Sequence, residues 1–286
     1  MKEKQLTRVK GILMKYKLLA VDVDGTLLNS RREITMLTKQ SIQKAIEKGI
    51  VFTICSGRPV QGVKLITDML EIDIPVITYN GAMVIVDDKV IFSCTMQKED
   101  VLHIERLGQE WGTTIAIWAG NRLFVNKLNE RALKYAQISG VSPQIYTDVM
   151  EPVSMGVSKV LWYDEIERIN GFERRLNGLL SPSVNVHTSQ PIFLEFVDRN
   201  VSKAVALEKM GEHYGIRREE MIAVGDGFND LAMIEYAGLG VAMGNAPEEV
   251  KNAADYITFS NDEDGVAKVI EVFVLNQQRS QEYRDA

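Results

Sequence analysis

Two rhythms of apolar and polar residues divide this chain. In the first, short apolar runs alternate with longer segments whose apolar positions recur every three or four residues. Residues 16–21 form an apolar run that stops on Asp22-Val23-Asp24-Gly25. Such a run reads as a buried parallel strand, covered on both faces. Thr35 is placed to cap a helix running to about residue 48, where Gly49 ends it, and Ile42, Ala45 and Ile46 give it an apolar stripe. Residues 50–55 read as a second buried strand, ending in Ser56-Gly57-Arg58-Pro59, with Pro59 suited to the first position of the next helix. A third strand at 75–79 ends on Asn80-Gly81-Ala82. Strand, helix, strand, helix, strand predicts an α/β fold, a parallel sheet with helices on its faces.

The second rhythm begins near residue 83. Apolar residues alternate around Asp87-Asp88 as in a hairpin, and hairpins and helices then mix: a helix at 98–111, a hairpin at 113–126, a helix at 129–139, a strand at 157–163, a helix to about 180, and strands at 184–187 and 193–197. This mixture predicts an antiparallel sheet with helices on one face. Residues 84–191 are read as an inserted α+β domain between core segments 14–83 and 192–286. After it the strand–helix alternation returns: a helix at 203–214 stopped by Gly215, a strand at 221–224 ending in Gly225-Asp226-Gly227-Phe228-Asn229-Asp230, a helix at 231–236, a strand at 239–242, a helix at 246–253, a strand at 256–258 and a helix at 263–275. Met14 stands just before the first strand and reads as an alternative start, which makes 1–13 a loosely ordered N-terminal extension. The polar tail 277–286 is expected to fray.

Composition narrows the function. Hydrophobic residues make up 45% of 286, enough for a full core, and the net charge of −6 comes without a basic tract, so no nucleic-acid partner is expected. No apolar run is long enough to cross a bilayer, and the polar N-terminus lacks the apolar region of a secretory signal. No membrane partner is expected. The two cysteines, Cys55 and Cys94, sit in apolar strand-like surroundings and fit a reducing cytoplasm better than a disulfide scaffold. Nothing in the sequence sets an oligomeric state.

The candidate chemistry lies at strand ends, where open α/β sheets bind their ligands. Asp22 and Asp24 are two apart, so in an extended chain they leave the same side, and two such carboxylates need a cation or a shared proton. The same four residues also suit a plain turn. An EF-hand fits poorly, because Gly25 comes too early. Asp226 and Asp230 form a second acidic cluster at another strand end. Together these acids suit magnesium, which takes oxygen ligands, while the absence of His-rich or Cys-rich spacing speaks against zinc. Ser56 and Gly57 beside a helix start favour a phosphate oxygen, although Ser56 alone also fits an ordinary cap. Lys203 opposes the dipole of the helix it opens and would serve better bound to an anion; taken singly it also fits a solvated surface lysine. His103, His187 and His213 fall in separate elements, with no nucleophile motif for a Ser-His-Asp triad.

Asp22-Val23-Asp24-Gly25-Thr26-Leu27, Ser56-Gly57-Arg58, Lys203 and Gly225-Asp226-Gly227-Phe228-Asn229-Asp230 resemble, in order, the four motifs of the haloacid dehalogenase-like superfamily. The long insertion, with Asn80-Gly81-Ala82, resembles the Cof-type phosphatases with a C2-type cap. One position departs: Ala204 follows the motif lysine where the family usually has glycine. The resemblance implies a Rossmann-like, doubly wound core with an inserted α+β cap that closes over the site. It implies a magnesium-dependent phosphatase acting on a small phosphate monoester such as a sugar phosphate. In that reading Asp22 is the nucleophile and Asp24 the general acid and base. Val23 and Gly57 N–H groups, Ser56, Lys203 and Asn229 bind the phosphoryl group. Asp22, the Asp24 carbonyl and Asp226 hold Mg2+, and Asp230 supports that metal site from behind. A phosphomutase on the same scaffold and a non-catalytic binding or regulatory protein remain the alternatives. Arg122, Lys127 and His187 are candidate substrate contacts from the inserted domain.

Overall fold

The computed structural model describes residues 15–276; the extension 1–13, the start at Met14 and the tail 277–286 lie outside the described residues. In chain order the elements are β1 (Leu18–Val21), α1 (Met36–Glu47), β2 (Val51–Cys55), α2 (Val60–Leu70), β3 (Val76–Thr78), β4 (Met83–Val86), β5 (Lys89–Ser93), α3 (Lys98–Glu110), β6 (Thr114–Ala119), β7 (Arg122–Val125), α4 (Glu130–Ser139), β8 (Gln144–Ile145), α5 (Met150–Ser154), β9 (Val157–Tyr163), α6 (Ile166–Leu176), β10 (Val184–Gln190), β11 (Phe193–Asp198), α7 (Lys203–Tyr214), β12 (Met221–Gly225), α8 (Leu231–Tyr236), β13 (Leu239–Ala242), α9 (Glu248–Ala253), β14 (Tyr256–Ile257) and α10 (Gly265–Ile270).

The larger sheet runs β14-β13-β12-β1-β2-β3-β4-β5. Its first six strands are parallel, and β4 and β5 fold back antiparallel. Strand β1 is central, flanked by β2 on one side and β12 on the other, so the strand order reverses beside it. That reversal opens a crevice at the carboxyl ends, the usual ligand position in such sheets. Alternation along β1 then decides what meets what. Leu19 and Val21 face one core layer, with Ile42, Ala45, Val63, Ile66 and Val269 of the helices on that side. Leu18 and Ala20 face the other, with Ala206, Leu207 and Met210 of α7. Both faces are covered, which is why these strands read as unbroken apolar runs.

Helix ends follow the sequence closely. The Thr35 hydroxyl accepts from Thr38 N at 3.1 Å to start α1, and Ser202 caps α7 through Val205 N at 3.1 Å. Pro59 is a cap residue just outside α2, not its first helical residue. The 263–275 segment forms α10 and then a widened turn at Glu271–Leu275.

The smaller sheet runs β10-β11-β9-β6-β7-β8, all antiparallel except the β7–β8 pair. It differs from the sequence reading in four ways. The 83–93 hairpin belongs to the larger sheet, where β4 pairs with β3 and Val84 and Val86 pack in the α7-side core. Strand β11, assigned by sequence to the second core segment, lies between β10 and β9 of the smaller sheet, its residues buried on both faces. The crossings between sheets therefore fall after Ser93 and after Asp198 rather than at 84 and 191. Helices also lie on both faces. Helices α3 and α6 bury Val101, Ile104, Leu107, Ile169, Phe172 and Leu176 against one face, while α4 brings Ala132 and Tyr135 to the other beside Trp118 and Phe193. The short β8 and α5 appear where no element was expected.

Candidate active site

The site forms where the chain leaves β1, β2 and β12. The register pairs Val21 with Val224 and with Ile54, so the three strands end nearly level. Asp22 follows β1 on the Leu18–Ala20 side and therefore faces α7. There the fully buried Lys203 places its Nζ 2.5 Å from Asp22 Oδ1 and 2.5 Å from Asp230 Oδ1. Asp230 closes the turn after β12: its Oδ2 accepts from Asp226 N at 3.0 Å and Gly227 N at 2.9 Å. Thr26 Oγ1 donates to Asp226 Oδ1 at 2.7 Å. Carboxylate oxygens of Asp22, Asp226 and Asp230 all lie within 4.8 Å of one another. Gly25 turns with φ +85°, and a Cβ there would stand 2.3 Å from Asp226 Oδ2. Only glycine lets this backbone press so close to the acid. With Ala204 in place of the glycine of the motif, Lys203 still reaches both carboxylates.

Three acids share one ammonium group, and the electrostatics show the imbalance. Burial, then the Asp230 charge, push Asp22 up to about 8 against the pull of Lys203. Burial pushes Asp226 up to about 6, although the Thr26 hydrogen bond opposes it. Burial alone pulls Lys203 down, but Asp22 and Asp230 outweigh it and hold the ammonium above its ordinary value. A cluster of this kind gains from a further positive charge. The donor set is all oxygen, and Oδ2 of Asp22 and of Asp226 makes no hydrogen bond among the described residues, so the residues present fit a hard divalent cation. Both oxygens of Asp230 are already engaged, which suits a supporting position behind the cation.

Asp24 departs from expectation. The strand ends at Val21 and a turn follows, so strand alternation alone no longer fixes how Asp22 and Asp24 lie relative to each other. The Asp24 carboxylate is turned out to Arg58, whose Nε and Nη2 grip it at 2.7 and 2.6 Å. It stands apart from the group formed by Asp22, Asp226 and Asp230. Arg58 belongs to the Ser-Gly-Arg motif, and its role becomes visible only once Asp24 is its partner. Ser56 is buried after β2, its Oγ accepting from Arg58 N at 3.1 Å. Val23 sits in the turn after Asp22, and its carbonyl accepts from Leu28 N at 2.9 Å. Gly57 lies against Asn80, and Asn229 Nδ2 donates to Asn80 Oδ1 at 3.1 Å. Asn245, absent from the sequence reading, donates to the Gly25 carbonyl at 2.9 Å and braces the turn that carries Asp24.

The smaller sheet touches this region through its β6–β7 turn. Gln61 Nε2 donates to the Asn121 carbonyl at 2.6 Å, and Tyr79 packs on Trp118 with ring centres 5.7 Å apart. The three candidate contacts in that domain are each engaged locally. Arg122 pairs with Gln144, Lys127 donates to the Gly112 carbonyl at 3.1 Å, and His187 lies 3.7 Å from Glu195 beside the buried Lys159–Glu195 pair. None is brought to Asp22. His103 and His213 lie elsewhere, against the Leu179 carbonyl and Tyr214.

The family model for a haloacid dehalogenase-like hydrolase matches residues 19–270. A 5-amino-6-(5-phospho-D-ribitylamino)uracil phosphatase of Bacillus subtilis strain 168 is 32% identical over 266 residues, covering 91% of this chain and 96% of its own. The crystal structure of a haloacid dehalogenase-like hydrolase from Bacteroides thetaiotaomicron superposes with a TM-score of 0.82 at 36% identity, over 90% of this chain and 99% of that one. A solved HAD subclass IIB sugar phosphatase gives a TM-score of 0.78 at 29% identity, over 90% and 98%. No helix among the described residues is long and apolar enough to cross a membrane.

Proposed function

The chain belongs to the haloacid dehalogenase-like hydrolases and is a Cof-type phosphatase, and from that premise we propose that it hydrolyses a small polyhydroxylated phosphate monoester through a phosphoryl group carried on Asp22. The observation that carries this reading is the convergence of Asp22, Asp226 and Asp230 around Lys203. A phosphoribityl substrate for one relative and a sugar phosphate for another support a phosphorylated carbon chain rich in hydroxyls. The free thiols Cys55 and Cys94 fit a reducing cytoplasm.

Asp22 and Asp226, with the Asp24 carbonyl, would hold Mg2+, which when bound neutralises charge on the phosphoryl oxygens. An Asp22 oxygen attacks phosphorus; the new O–P bond forms as the bond to the leaving oxygen breaks. Asp24 gives its proton to that leaving oxygen. It then takes a proton from the water that attacks phosphorus, which frees inorganic phosphate and restores Asp22. An anionic substrate competing for Arg58 would release Asp24 for this work. Lys203, Ser56, Asn229 and the N–H groups of Val23 and Gly57 hold the phosphoryl oxygens. The domain carrying the smaller sheet would close over the site and exclude bulk water.

Removing metal with EDTA should stop hydrolysis of p-nitrophenyl phosphate, and added magnesium should restore it; equal rates with and without EDTA would overturn the metal assignment. Asp24→Asn should slow alkyl phosphates by about 10²–10⁴, the usual worth of acid–base help. For p-nitrophenyl phosphate the bond-breaking step should slow far less, because p-nitrophenolate leaves without a proton. Pre-steady-state rates on both esters test this, and an equal loss in that step would remove Asp24 as the acid.

A further inference from the structure

We propose that Asn80 is a positioning residue of the phosphoryl site, acting through the carboxamide of Asn229. The inference rests on the phosphatase reading above. Tyr79 and Asn80 both adopt left-handed backbone, with φ of 52° and 57°, inside the protein rather than on a loop tip. Such conformations are uncommon outside glycine, and Asn tolerates them best. They persist where surrounding contacts over-determine them, and often at functional sites.

The contacts here are specific. Tyr79 N donates to the Arg58 carbonyl and Asn80 N to the Ser56 carbonyl, each at 3.0 Å, so the turn is tied to the loop after β2. A Cβ on Gly57 would lie 2.8 Å from Asn80 Oδ1, which shows the Asn80 carboxamide packed against the Gly57 backbone. The same Oδ1 accepts from Asn229 Nδ2 at 3.1 Å, in the loop after β12. Behind the turn, Tyr79 packs on Trp118 of the smaller sheet. One short side chain thus bridges the two loops that flank Asp22. Asn229 has two amide hydrogens. With one given to Asn80, the rotation of its carboxamide is fixed and the other stays available to a phosphoryl oxygen.

The test is a double-mutant cycle in the full-length, magnesium-loaded protein, read by inorganic phosphate as a competitive inhibitor of p-nitrophenyl phosphate hydrolysis. Asn80→Gly keeps the backbone conformation and removes the amide. It should weaken phosphate inhibition about 3- to 10-fold, the worth of one hydrogen bond, in a protein that still unfolds cooperatively. Asn80→Gly combined with Asn229→Ala should be no worse than Asn229→Ala alone. Asn80→Asp keeps both the left-handed turn and the acceptor but adds a charge, so it should weaken phosphate more than Asn80→Gly does. Phosphate inhibition at the wild-type level in either Asn80 variant, or losses that multiply in the double variant, would overturn the positioning role and leave the phosphatase reading intact. A wild-type protein that neither hydrolyses the ester nor is inhibited by phosphate would overturn both.

Discussion

Asp22→Asn should leave no measurable turnover of any phosphate ester, a loss on the order of 10⁶, as found when a covalent nucleophile is removed. The reason lies in geometry and charge together. Asn has nearly the shape of Asp and can still face Lys203, so the cluster keeps its packing. A neutral carboxamide, however, supplies no anionic oxygen to attack phosphorus. Above about pH 8 it also removes one of the buried charges crowded around Lys203, so there the folded protein should unfold at or above the wild-type temperature. Steady-state rates with p-nitrophenyl phosphate, paired with thermal unfolding, check both halves. Retained activity would displace Asp22 from its role.

Lys203→Met should cost at least about 10²–10³ in kcat, the range seen when one preorganised donor to a developing charge is lost. Its second effect is on the fold. Lys203 is fully buried and holds Asp22 and Asp230 at 2.5 Å each. Removing one partner from a buried ion group typically costs about 3–5 kcal/mol, because the remaining charges lie unpaired away from water. Here the carboxylates can instead take up protons, so the destabilisation should be largest at high pH and shrink as pH falls. Thermal unfolding across a pH series reads this directly. A surface lysine would show neither the loss of turnover nor that pH trend.

The core of the fold was legible because buried parallel strands announce themselves as short apolar runs, and residues 18–21, 51–55 and 221–225 are such runs. The strand ends that form the candidate site were legible too, since Asp22, Ser56 and Asp226 each interrupt an apolar run at its carboxyl end. What failed depended on contacts between distant segments. Arg58 is the partner of Asp24, and a contact across 34 residues has no local signal in the sequence. The hairpin 83–93 alternates as either sheet would require, and only its pairing with β3 assigns it. Strand β11 reads with the hairpins and helices before it, but it lies beyond a boundary at 191, and only its pairing with β10 and β9 assigns it. The β8 and α5 segments are too short to carry a period. Partners such as Lys159 with Glu195, or Asn245 with the Gly25 carbonyl, have no local signal at all.

The Asp24→Asn variant tests most sharply whether phosphorus becomes bonded to Asp22. With p-nitrophenyl phosphate the first step needs no acid, while the second lacks its base, so the phosphorylated protein should accumulate. Rapid mixing followed by acid quench and peptide mass mapping should show a burst of p-nitrophenolate equal to the enzyme present, with one phosphoryl group on the peptide that holds Asp22. Hydrolysis that continues in this variant with no burst, and with that peptide unmodified, would contradict it.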